Sequence, residues 1–121
     1  MGDTYTRPAL GGRALWETER LWRLAKGLPV RHVPLVEIAE FDQDCWFQSR
    51  HAPTCRAVAD HARRIRDADL AYPVILSADG RLMDGGHRVA KAYLEGRSTV
   101  AAVRFGVDPE PDRYIADGEE W

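Results

Sequence analysis

PVILSADGRLMDGGHRVAKAYLEGRSTVAAVRF, residues 73–105, spells out strand, tight turn, short strand, glycine pair, helix and strand in succession. Pro73 to Ser77 is a short, partly β-branched apolar run of strand length. Asp79-Gly80 is a hairpin signal, because glycine tolerates the positive φ that such turns need. Arg81 to Asp84 returns as the second arm. Gly85-Gly86 allows a sharp turn into a helix over His87 to Leu94, with Gly96 as its stop. Val100 to Phe105 closes the unit as a strand.

The chemistry of this stretch sits at the helix start. A helix N-terminus carries unpaired N–H groups and a partial positive charge. Two glycines remove side chains that would keep a ligand away. His87 and Arg88 add donors, and the arginine fork suits phosphate oxygens. The residues therefore read either as an anion site, most simply a phosphate site, or as a tight turn followed by a solvated first helical turn.

Asp84-Gly85-Gly86-His87-Arg88-Val89-Ala90-Lys91-Ala92, preceded by Val74-Ile75-Leu76 and Asp79-Gly80-Arg81, resembles the ParB/sulfiredoxin superfamily. Val33-Pro34-Leu35-Val36-Glu37-Ile38 looks like the opening strand of that domain, and the segment from Thr54 to Asp69 stands where its next helix belongs. The resemblance spans residues 31–105. It implies a small α+β domain, a mixed sheet packed with helices, that binds a nucleotide with its phosphates at the glycine–helix turn. Activities in the superfamily include ATP-dependent sulfinic acid reduction, CTP hydrolysis coupled to DNA clamping and phosphorylation of free serine.

Departures from those members narrow the expectation. Gly86 stands where sulfiredoxin has its catalytic cysteine, which removes the reductase chemistry. Only Gly85 and Arg88 remain of the Gly-Glu-Arg-Arg phrase of the partitioning proteins, and sixteen residues follow Phe105 where those proteins continue into a DNA-reading region. The Gly-x-His-Arg form is nearest the serine-kinase-like members. The resemblance thus implies phosphoryl transfer or nucleotide hydrolysis, with Asp84, Gly85, Gly86, His87 and Arg88 holding ATP, ADP or CTP. Mg²⁺ would offset the phosphate charge, with Asp84 as a candidate ligand. A glutamate near the opening strand, Glu37 or Glu40, would serve as the base for an acceptor hydroxyl, with His87 beside the phosphates and Asp42 and Asp44 behind. The alternative is a non-catalytic module that senses a nucleotide or small anion and reports to a protein partner.

Composition agrees with one soluble globular domain. The 121 residues are 45% hydrophobic and 30% charged, with a net charge of −2. A pI near 6.1 leaves no basic footprint for DNA. No apolar run approaches the roughly 20 residues of a membrane span, and the N-terminus lacks the apolar core of a signal peptide. The expected location is cytoplasmic, with no membrane partner.

Outside the domain, residues 1–11 read as a loose start broken by Pro8 and Gly11-Gly12. Residues 13–27 read as a helix with Leu15, Leu21, Trp22, Leu24 and Ala25 at helical spacing, making 1–30 an N-terminal helical extension. Trp16 and Trp22 are expected as packing anchors, and the helix is open to covering the domain or supplying a homodimer surface. Residues 39–53 combine acids, aromatics and His51 in an irregular segment suited to a functional loop. Thr54 is an expected N-cap, with Val58, Ala62, Ile65 and Asp69 on one stripe of the helix that follows. Cys45 and Cys55 show neither a zinc spacing nor grounds for a disulfide, and Cys55 is expected to be buried. His32, His51 and His61 suggest no metal. The tail, 106–121, is proline-broken and expected to wrap the surface, with Tyr114, Ile115 and Trp121 able to pack back.

Overall fold

The structure, a computed structural model, describes residues 3–47 and 51–119. The chain is α+β. In order its elements are β1 (Thr4–Ala9), β2 (Gly12–Glu17), α1 (Thr18–Ala25), β3 (Arg31–Pro34), 3₁₀ turns at Leu35–Glu37 and Ala39–Asp42, α2 (Cys55–Asp67), β4 (Val74–Leu76), β5 (Leu82–Asp84), α3 (Gly86–Leu94), β6 (Thr99–Arg104) and β7 (Arg113–Ala116). They form a four-stranded sheet ordered β3-β6-β4-β5 and a three-stranded sheet ordered β1-β2-β7.

The four-stranded sheet is the frame of the site. β4 and β5 pair antiparallel around a turn closed by Gly80 N–H donating to the Ser77 carbonyl at 2.9 Å. β4 and β6 run parallel, so the chain must cross over between them, and α3 is the crossover. Alternating residues on these strands point to opposite faces. Val74 and Leu76 of β4, Leu82 of β5 and Val100 and Ala102 of β6 join Leu35, Ile38, Val89 and Ala92 in one core. Ile75, Met83 and Val103 face the other way, into a core with Ala14, Trp16, Leu21 and Ala25. Both faces are covered, which is why Val74-Ile75-Leu76 is apolar without alternation.

That second core corrects the reading of the N-terminus. Residues 4–17 are not a loose start and a helix but a hairpin, with Ala9 paired to Gly12. Pro8 is tolerated because β1 is an edge strand. Gly12 passes so close to β7 that an added Cβ would lie 1.8 Å from the Ile115 carbonyl oxygen. Ala14, Leu15 and Trp16 are all buried, so their continuous apolar run is a two-sided strand, and the helix starts only at Thr18. α1 then buries Thr18, Leu21 and Ala25, leaving Trp22 56% exposed rather than packed as expected.

The tail pairs as β7 with β2 and buries Ile115, while Tyr114 is exposed and Trp121 lies outside the described residues. Trp16 donates its indole N–H to the Pro109 carbonyl at 2.8 Å, and Arg7 ion-pairs with Asp108 at 2.8 Å. The opening strand also ends early. After Pro34, buried Leu35 and Ile38 stand three residues apart, a spacing met by a 3₁₀ turn and not by a strand.

α2 is capped by Thr54, whose hydroxyl accepts from Ala57 N–H at 3.1 Å. Its inward stripe is Ala57, His61, Ile65 and Ala68, with Val58, Ala62, Asp69 and Cys55 exposed, so the expected stripe is rotated. Cys45 and Cys55 are both free and exposed, which corrects the expectation of a buried Cys55. Among the described residues no helix is long and apolar enough to cross a membrane.

Candidate functional site

The start of α3 is fixed by a glycine the packing demands. Gly85 has φ +122°, and a Cβ there would stand 2.5 Å from Val74 Cγ1. This close approach brings the helix start onto the end of β4. Unlike α2, α3 has no side-chain cap, so its first N–H groups, on Gly86, His87 and Arg88, lack an intrahelical acceptor.

Three aromatic rings gather at that end. His61 Nδ1 and His87 Nε2 share a hydrogen bond at 2.8 Å, tying α2 to α3. The Trp46 ring stacks on His87 at 4.8 Å and on His61 at 4.9 Å. The imidazole centroids are only 5.1 Å apart, so both lie on one face of the indole; opposite faces would separate them by about twice the stacking distance. Trp46 is held in place by Asp44, whose Oδ1 accepts from the Trp46 and Phe47 N–H groups at 3.0 and 2.8 Å. Its Nε1 lies 3.3 Å from where a Cβ on Gly86 would stand, which puts an indole donor beside the helix start.

Two arginines, Arg64 and Arg88, lie near His87. Burial is the main cause of its depressed pKa, about 4, and Arg64, His61 and Arg88 push the same way. His61 is lowered by burial and by Arg64. Both rings are therefore neutral at pH 7, and in their shared bond one nitrogen donates and the other accepts. Arg64 itself pairs with Asp3 at 3.0 Å on the exposed side of α2.

Other expected site residues are distributed less simply. The Arg88 guanidinium is engaged internally, with Nη1 donating to the Pro73 and Tyr72 carbonyls at 2.7 and 3.2 Å and Nη2 to Asp84 Oδ2 at 2.7 Å. The same Asp84 oxygen accepts from Trp22 Nε1 at 2.6 Å. With two donors on one oxygen and a guanidinium beside it, Asp84 does not suit a magnesium ligand in this arrangement. Among the described residues no group of three or more His, Cys, Asp or Glu side chains is placed to hold a metal ion. Glu40 lines a cleft that also reaches Gly86 and Trp46, and one of its oxygens accepts from Leu82 N–H at 3.2 Å. Glu37 is exposed on its 3₁₀ turn, away from that lining. Residues 48–50 of the irregular segment lie outside the described residues.

No family model, curated protein or solved structure matches the chain. Its function is therefore read from the site. Sequence reasoning singled out His87 and missed its partners. His61 was legible in principle, because Ala57, His61 and Ile65 recur every four residues and put His61 on the inward stripe. Trp46 was not, since only the tertiary fold carries the loop onto the helix.

Proposed function

We propose that this chain binds a phosphate-bearing ligand, a nucleotide, at the start of α3. The observation that carries the reading is a helix N-terminus without a side-chain cap, beside a His87 whose pKa is lowered to about 4 chiefly by burial and further by Arg64 and Arg88. The N–H groups of Gly86, His87 and Arg88 are donors at the helix start, the Trp46 indole nitrogen lies beside it, and the neutral imidazole pair keeps one N–H to spare without the cost of a buried charge. Arg88 contributes charge while bracing the helix. The nucleotide carries its Mg²⁺ on its own phosphates. The resemblance to ParB/sulfiredoxin-like proteins supports the same placement.

In the enzymatic form of this proposal, Glu40 accepts the proton of the attacking hydroxyl or water from the cleft side, and the helix start stabilises charge gathering on the transferred phosphoryl group. A second form, binding without turnover, is favoured by a specific observation: Asp84 and Arg88 are tied to each other, and Glu37 stands away from the cleft. Calorimetric titration with ATP, ADP, CTP and GTP plus Mg²⁺ tests the binding, and phosphorus NMR of the mixtures separates the two forms. Saturable binding weakened in Arg64→Ala is the expected result, because this arginine adds positive charge near His87 while its ion pair with Asp3 is exposed and worth little to the fold. Absence of binding to every nucleotide would overturn the proposal.

A further inference from the structure

Of the cleft of about 690 Å³ beside α3, phosphate binding as proposed uses only Gly86, Trp46 and Glu40. The cleft extends from Gly86 at the N-terminal end of the helix to Tyr93 and Leu94 at the C-terminal end. At 1.5 Å rise per residue those ends are roughly 10 Å apart. The two ends of the cleft therefore differ in sign, with positive helix dipole at Gly86 and negative at Tyr93.

Four aromatic side chains line it: Phe41, Trp46, Phe47 and Tyr93. Phe41 and Tyr93 meet edge to face at 5.3 Å, although Tyr93 is 62% exposed. The charged residues of the lining are Glu40, Asp42 and Asp44, and among the described residues no lysine, arginine or histidine lines it. Aromatic faces in a cleft whose charged lining is acidic, at the negative end of a helix, attract a cation with an apolar shell, whose charge is spread and weakly hydrated.

We propose that the Phe41–Tyr93 end of this cleft binds an organic cation, of the quaternary or alkylated ammonium class, with Asp42 supplying the counter-charge. The site stands apart from the anion reading, since the Phe41–Tyr93 pair lies at the opposite end of α3 from Gly86. One ligand carrying both an ammonium and a phosphate could span the two.

The test is an NMR titration of the whole chain with choline and with the alcohol in which carbon replaces its quaternary nitrogen. Choline is expected to shift the Phe41 and Tyr93 ring signals saturably and to bind roughly tenfold tighter than the uncharged analogue. Asp42→Asn, at an exposed position, should remove most of that preference, while Arg64→Ala should leave choline binding intact and weaken only nucleotide binding. Equal affinity for the two probes, or no saturable shift with choline, would overturn the proposal whatever the outcome with nucleotides.

Discussion

Gly85 is where sequence and site meet most directly. Its φ of +122° and the 2.5 Å approach of Val74 Cγ1 leave no place for a side chain. Gly85→Ala is expected to cost roughly 2–4 kcal/mol from backbone strain and overpacking together, read as a shift of the urea midpoint. Gly86 is different, because the nearest atoms a methyl there would meet are those of the Trp46 indole, the first at 3.3 Å. His87 gives the pH prediction. Its folded pKa of about 4 lies below the ordinary 6.5, so the unfolded chain takes up the proton first as pH falls. Stability is then expected to fall from pH 6.5 towards pH 4, and to be independent of this group above that window. The groups facing His87 are Arg64, His61, Arg88 and, opposing them, Asp3. His87→Gln should flatten the slope, as measured by urea unfolding across that range; an unchanged slope would contradict the assignment. The sequence pointed to His87 because the glycines and the helix start are local. His61 and Trp46 were hidden because a hydrogen bond across 26 residues and a stacked indole are tertiary facts.

Among the elements, α3 is held by its first and last turns. Arg88 ties it to the chain before β4 through two carbonyls and to β5 through Asp84. Lys91 donates to the Arg66 and Ala68 carbonyls at 2.8 and 2.6 Å, satisfying the C-terminal end of α2. Arg88→Ala is accordingly expected to destabilise the fold by about 2 kcal/mol, since charge-assisted bonds to the Tyr72 and Pro73 carbonyls and to Asp84 are lost. Weaker nucleotide binding in that variant alone would therefore be ambiguous, which is why Arg64→Ala is the cleaner probe. Strand β7 makes a second prediction. Removing residues 107–121 takes away the partner of β2, the Pro109 carbonyl that accepts from Trp16 and the buried Ile115. A lower melting temperature and a red-shifted, partly exposed Trp16 fluorescence are expected. Unchanged melting would mean that β2 does not need its neighbour.

For the whole molecule, the legible part of the sequence was the part whose contacts are close in the chain. The strand–turn–strand–helix–strand of residues 74–104 follows from turn glycines and periodicity. The three-stranded sheet was missed because β2 joins strands from both ends of the chain, pairing Gly12 with Ala116. Its Ala-Leu-Trp run is buried on both sides, so it lacks the alternation that marks a one-sided strand. The outcome is a four-stranded sheet between two cores, with α3 on one face and its N-terminus open to an imidazole pair, an indole and the field of two arginines. The central claim is that this end of α3 holds phosphate. The most direct measurement is an amide and imidazole NMR titration with ATP and Mg²⁺. The Gly86, His87 and Arg88 amides are expected to shift together and saturably, and the His87 pKa to rise from about 4 as phosphate charge arrives beside it. Shifts confined to other residues, or a His87 titration unmoved by saturating ATP, would contradict it.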